Sequence, residues 1–165
     1  MPTERVARQF ATNFYGTLAM AVSFAPVIEA NGGGAIVNIL TLVALASMPG
    51  LSTYNASKAL AWSMTQSLRA TLASRKIAAF GAFPGAVDTD MLSGVEMPKT
   101  APADVARAVV QGIQAGAEDI VPDPGPGSWP TDRRKGGREE RATCSLRRRP
   151  RRKIASWSSA AFRRR

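Results

Sequence analysis

Tyr54-Asn55-Ala56-Ser57-Lys58, preceded by the hydroxyl of Thr41, is the part of this sequence whose residue types and spacing could move a proton. On a helix capped by Ser52 or Thr53, Tyr54 and Lys58 stand four residues apart, stacked on one face. A phenol is a poor acid or base at neutral pH, because its ordinary pKa is about 10. An ammonium held nearby favours the phenolate, so Lys58 is expected to lower the pKa of Tyr54 and make it a tuned general acid/base. Tyr-xxx-Lys by itself is a common surface pair, and its meaning depends on the elements that hold it.

Those elements are legible as alternating strands and helices. Gly32-Gly-Gly-Ala-Ile-Val-Asn-Ile-Leu40 reads as a strand buried on both faces, behind glycines that end the preceding helix in the left-handed conformation. Thr41 follows at its carboxyl end, where open α/β sheets place ligands. Ile77-Ala-Ala-Phe-Gly-Ala-Phe83 reads as a second buried strand running into Pro84-Gly85-Ala86-Val87-Asp88-Thr89. The pattern predicts helix 4–30, strand 34–40, loop 41–52, helix 53–74, strand 77–83, loop 84–100, helix 101–115 and strand 118–121. Such alternation implies an α/β layer architecture with right-handed crossovers. In helix 53–74, Leu60, Met64, Leu68 and Leu72 form a stripe expected to pack on the sheet, while Ala56, Ala59, Trp62 and Ser63 leave a side open to a second subunit. Pro102 and Asp104 suit the first turn of the third helix.

Taken in order, these motifs resemble the carboxyl-terminal half of a short-chain dehydrogenase/reductase, over about residues 5–123. Tyr54 and Lys58 match the family's Tyr-xxx-Lys, and Thr41 stands at the position of its catalytic hydroxyl, usually serine. Threonine keeps the hydroxyl but stiffens χ1. Asn13-Phe14-Tyr15-Gly16 matches the family's Asn-x-x-Gly, and Pro84, Gly85, Val87 and Thr89 match its cofactor loop. The resemblance implies a partial Rossmann-like, doubly wound parallel sheet with three strands and three helices. It also implies an NAD(P)-dependent oxidoreductase moving hydride between nicotinamide and a small alcohol or carbonyl substrate. Thr41 would hold the carbonyl oxygen and Tyr54 would pass the proton. Lys58 would lower the tyrosine pKa and bind the nicotinamide ribose, and Asn13 would hold a water linking Lys58 to solvent. Pro84, Gly85, Val87 and Thr89, together with Tyr54 and Lys58, would line the cofactor. Association into a homo-oligomer is expected through helices 4–30 and 53–74. NAD and NADP are not distinguished, since the residue that chooses between them has no counterpart here.

The family's glycine-rich strand–turn–helix, which holds the pyrophosphate, also has no match; Gly32-Gly33-Gly34 precedes a strand instead of joining strand to helix. A catalytically inactive fragment, at most an association partner of intact relatives, is therefore the competing expectation. The far end differs again. Residues 125–165 carry a balance of +11 and the remaining residues −1, out of a net +10. This segment is expected to be a disordered tail, separate from a domain spanning 1–124. It reads either as a basic arm binding nucleic acid weakly and without sequence preference, or as sequence with no selected structure, such as a GC-rich gene read out of frame. The abruptness of the change favours the latter. The absence of histidine excludes Ser-His hydrolase chemistry and His metal ligation, and the lone Cys144 excludes a disulfide framework or a cysteine metal cluster. Residues 9–28 are uncharged but interrupted by Gln9, Thr12, Asn13, Ser23 and Pro26, which favours a buried amphipathic helix over a bilayer span. With no basic-then-apolar leader, a cytoplasmic location is expected.

Overall fold

The computed structural model describes residues 3–122. Helix α1 (Thr3–Phe10) runs through a π-helical segment, Ala11–Gly16, directly into α2 (Thr17–Ala30). The end of α2 is set by glycine, as expected. Gly33 N–H donates to Ile28 O at 3.0 Å and Gly32 N–H to Glu29 O at 2.9 Å, both glycines having positive φ (109° and 91°). This nested pair of bonds satisfies carbonyls that the last turn would otherwise orphan. A Cβ on Gly33 would lie 2.5 Å from Lys76 O, so glycine is also needed sterically.

Lys76 itself has φ 58°, the one non-glycine residue with positive φ among the described residues. Lys76→Gly would relieve about 1–2 kcal/mol of left-handed strain and lose about 0.5–1 kcal/mol to glycine's greater freedom in the unfolded chain. A net stabilisation of roughly 0.5–1 kcal/mol is expected from a urea melt. A loss of stability would mean that the side chain, not the backbone, holds this corner.

Three parallel strands follow in the order β1 (Gly34–Ile39), β2 (Ile77–Ala82), β3 (Asp119–Ile120). Gly34 lies opposite Ile77 and Ile39 opposite Ala82; Ala82 in turn lies opposite Ile120. The strands are a residue or so shorter than the apolar runs suggest, yet Leu40 N–H still donates to Ala82 O and Phe83 N–H to Ile120 O, both at 2.7 Å. Helix α3 (Ser52–Leu72) connects β1 to β2, and α4 (Pro102–Gln114) connects β2 to β3, with proline in its first turn and Asp104 beside the helix dipole. On one face, Val37, Phe80, Ala82 and Ile120 pack against Val105, Val109 and Ile113 of α4. On the other, Ile36 and Ile77 meet Ala25 and Ile28 of α2 and Leu68 and Leu72 of α3. Helices thus cover both faces of a partial Rossmann-like sheet.

The structure corrects several sequence expectations. The buried side of α3 is Asn55, Ser57, Ala61, Thr65 and Leu72, while Leu60 is 39% exposed. Polar matching sets this phase. Asn38 Nδ2 donates to Thr65 Oγ1 at 2.9 Å, and that hydroxyl donates to Ala61 O at 2.8 Å. Small side chains let the helix approach closely enough for these bonds to form. Trp62 does not belong to an open side; its ring meets Phe83 edge-on at 6.0 Å, in a cluster with Leu40 and Ala61. The first helix is not buried either. Only Ala21 and Ala25 are buried in α2, and none in α1. By length and composition alone Thr3–Ala30 could cross a bilayer, with 11% of its most apolar window buried. Its exposed side flanks β1, which among the described residues pairs on one side with β2 and is half-exposed. Arg69, which the sequence reading did not single out, joins α3 to the sheet, donating to Ala79 O at 3.0 Å and to Glu118 O at 2.6 Å. The domain boundary at 124, the basic tail 125–165 and Cys144 lie outside the described residues.

Candidate active site

The two strand ends arrive side by side because the β1–β2 ladder continues into the loops. Leu40 N–H bonds to Ala82 O, and Leu42 N–H donates to Pro84 O at 3.1 Å. Thr41, between them, is extended (φ −168°, ψ 156°) and buried, and opens a short 3-10 turn, Leu42–Ala44. The loop then returns to α3, where Asn55 Nδ2 donates to Met48 O at 3.1 Å. Neither Ser52 nor Thr53 caps the helix: Leu51 occupies the cap position without a side-chain bond. Thr53 Oγ1 instead donates to Gln9 Oε1 at 2.7 Å, tying α3 to α1.

Tyr54 is partly buried and shares a side-chain hydrogen bond with Thr41. Burial raises its pKa above the usual phenol value, because a desolvated phenolate is costly; the Thr41 bond acts in the opposite, lowering direction and is the weaker effect. Lys58 is not among the causes of this shift. Lys58 Nζ donates to the backbone carbonyl of Ile39 at 3.0 Å, and burial lowers its own pKa. The ammonium is thus engaged at the end of β1.

A titration separates these causes. The chain has two tyrosines. In a Tyr15→Phe background, phenolate absorbance from Tyr54 is expected only above pH ~10. Thr41→Val should move the midpoint further up, since the lowering bond is lost. Lys58→Met should leave it in place. A midpoint that climbs in Lys58→Met would restore the ammonium as the controlling group.

Asn13 lies in the π-helical segment, an irregularity often found at functional sites. Its Nδ2 donates to Ser57 Oγ at 3.0 Å, and Ser57, fully buried, donates in turn to Tyr54 O at 2.8 Å. Asn13 is thereby fastened to the helical turn that carries Tyr54 and Lys58. Ser57 is the residue that sequence reasoning passed over; its only signal is its place within the Tyr-xxx-Lys turn. Hydrogen bonds thus link Asn13, Ser57 and Tyr54 in one chain, and Tyr54 to Thr41, at the carboxyl end of the sheet.

The cofactor-loop residues stand one step away. Pro84 is buried and Gly85 half-buried at the end of β2. Val87 makes a parallel bridge with Thr100, through Asp88 N–H to Thr100 O at 3.0 Å and Thr100 N–H to Ala86 O at 2.8 Å. This returns the loop to the start of α4. Thr89 is exposed, with its hydroxyl 3.4 Å from Val87 O, and Lys99 Nζ braces the loop by donating to Leu92 O at 2.7 Å.

A short-chain dehydrogenase from Burkholderia cenocepacia, solved in complex with NADP, superposes with a TM-score of 0.70 at 34% identity, over 73% of this chain and 51% of that one. One from Sphingobium yanoikuyae, in complex with NADPH, shares the fold with a TM-score of 0.69 at 23% identity, over 76% of this chain and 52% of that one. In sequence, 99 residues are 30% identical to the 7alpha-hydroxysteroid dehydrogenase of Escherichia coli K12, covering 60% of this chain and 39% of that enzyme. The chain therefore spans about half, or less, of the length of these relatives. Residues 1–99, more than half of its own length, match the short chain dehydrogenase family, and the chain belongs to that family of oxidoreductases.

Proposed function

We propose that Thr41, Tyr54, Lys58 and Asn13 form the proton-handling part of an NAD(P)-dependent site for a small alcohol/carbonyl pair. The observation that carries this reading is the hydrogen bond between Thr41 and Tyr54 at the joined ends of β1 and β2. It brings a hydroxyl donor and a protonated phenol to one point, as reduction of a carbonyl needs. The residues suit the nicotinamide end of a cofactor. Lys58 and the exposed Thr89 hydroxyl are the polar groups for a ribose and an amide, and the Pro84-Gly85 turn leaves a close approach open. Among the described residues no glycine-rich strand–helix turn is present for the pyrophosphate.

The cofactor, when bound, supplies or takes the hydride. The chain's residues do the rest. Thr41 hydrogen-bonds the carbonyl oxygen, and Tyr54 passes its proton to that oxygen as the alcohol forms, or takes it back in the reverse direction. The raised pKa of Tyr54 keeps that proton in place near neutral pH. Lys58 has further N–H groups for a ribose beside its bond to Ile39 O, and Asn13 steadies the turn through Ser57.

A fusion of residues 5–123 behind a complete dinucleotide-binding front is expected to oxidise NADPH or NADH in the presence of small ketones. A folded fusion that binds the cofactor but reduces no carbonyl across a broad panel would overturn the proposal. A second reading, an inactive chain that only associates with relatives, is favoured by Lys58 being engaged away from Tyr54. It predicts no NADH binding by the chain alone in isothermal titration. That result is expected here too, since a few hydrogen bonds of about 1 kcal/mol each do not offset the ~4–15 kcal/mol cost of immobilising a ligand. The fusion decides between the two.

A further inference from the structure

The stretch from Asp88 to Lys99 is a loop closed at its own base. Asp88 N–H donates to Thr100 O at 3.0 Å and Thr100 N–H to Ala86 O at 2.8 Å, where Val87 and Thr100 form their parallel bridge. Inside the loop two turns follow one another. The 3-10 turn Asp90–Leu92 is closed by Leu92 N–H donating to Thr89 O at 2.9 Å. In the next, Ser93 has φ −59° and ψ 134°, Gly94 has φ 76°, and Val95 N–H donates to Leu92 O at 3.2 Å, as in a type II turn. Each of these bonds joins residues only three apart, so the turns shape the tip without fixing where it lies. Lys99 supplies the longer tie. From a side chain only 18% exposed, its Nζ donates to Leu92 O at 2.7 Å and stands 3.7 Å from Asp88 Oδ1. One ammonium thus meets both ends of the segment 88–92, and Thr89, exposed, lies inside it.

We propose that Lys99 is a positioning residue, which by holding Leu92 O and Asp88 fixes the segment that presents the Thr89 hydroxyl to a nicotinamide cofactor. This role rests on the cofactor-loop reading proposed above. The ammonium acts through Thr89 and touches neither substrate nor cofactor. Lysine suits the task, because one of its three N–H groups can hold a carbonyl while its charge faces a carboxylate. Its buried stem packs independently of the charged head. Lys99→Met therefore keeps most of the stem and removes the donors, leaving the loop tip to its local turns.

On the full chain, cutting after the exposed Glu96 by a glutamyl endopeptidase reports opening of the loop, because the rate follows the open population when reclosing is fast. Lys99→Met is expected to speed this cut at least about tenfold, the size of one charge-assisted bond, with the circular dichroism unchanged. Lys99→Arg, which still brings a donor, should recover most of the protection. An unchanged rate in Lys99→Met would overturn the proposal. Cofactor affinity is then measured on the full chain behind a complete dinucleotide-binding front, by nicotinamide fluorescence, which needs no turnover. Lys99→Met should weaken NADH or NADPH binding at least about threefold, and add nothing in a Thr89→Val background, because the two residues act in series. Equal losses in both backgrounds would place Lys99 in the fold at large and overturn its positioning role. A fusion that binds no cofactor would overturn both this role and the reading beneath it. One that shows the coupling but reduces no carbonyl would sink the hydride-transfer reading alone.

Discussion

Tyr54→Phe, in residues 5–123 completed with a dinucleotide-binding front, is expected to lower kcat/KM for carbonyl reduction by roughly 10²–10⁴. The ring stays and fills the same half-buried space, so the fold should be unaffected. What goes is the transferable proton and the oxygen that meets Thr41. Lys58→Met should cost at least as much if Lys58 binds the ribose as well as assisting the phenol. Thr41→Ser should be neutral or better and Thr41→Val harmful, because only the hydroxyl is required. Steady-state kinetics on purified, cofactor-saturated variants checks this. Most of the activity surviving in Tyr54→Phe would remove the tyrosine from the reaction.

Phe83→Ala should destabilise the chain by about 3–5 kcal/mol, a large part of the roughly 5–15 kcal/mol that holds a domain together. Phe83 has no exposed surface, and its ring packs with Leu40, Ala61 and Trp62. Gly81 makes room for it: a Cβ there would lie 3.0 Å from the ring. Because Leu40 precedes Thr41 and Phe83 precedes Pro84, this one ring supports both strand ends of the candidate site. Phe83→Leu, which keeps most of the volume, should cost less than about 1.5 kcal/mol. The midpoint of urea unfolding measures both. A loss below about 1 kcal/mol for alanine would show that the neighbouring side chains close the gap.

The strands, their parallel order and the convergence of Thr41, Tyr54 and Pro84 were legible because they follow from short-range rules. Apolar runs of five or six residues mark strands, four-residue spacing aligns Tyr54 with Lys58, and Gly32-Gly33 favours a left-handed helix end. The phase of α3 was legible only in part: Leu68 and Leu72 pack on the sheet as their spacing predicts, and Leu60 does not. Leu60 looks like a core residue by periodicity, but the helix is turned by Asn38 finding Thr65, a bond between residues 27 apart in the chain. The state of Tyr54 was not legible. Spacing puts an ammonium within reach of the phenol, but here a backbone carbonyl at Ile39 also takes a bond from it. The exposure of α2 escaped for the same reason, since a sequence shows an apolar face but not whether a layer lies against it.

The π-helical segment gives the first helix two phases. Gln9 must face α3 to meet Thr53, and Ala21 must face the interior. At about 100° per residue, twelve residues of uniform α-helix would leave them about 120° apart around the axis. Ala11–Gly16 takes up about one extra residue, which reduces the mismatch to about 20°. Asn13 sits inside this correction. A helix that straightened here would have to release either Gln9 or the interior face of α2, and would swing the Asn13 amide off Ser57 as it did so. The irregular turn works like the offset in a cam, and the candidate site keeps its asparagine in position through the timing of a helix that must meet Thr53 at one end and the interior at the other.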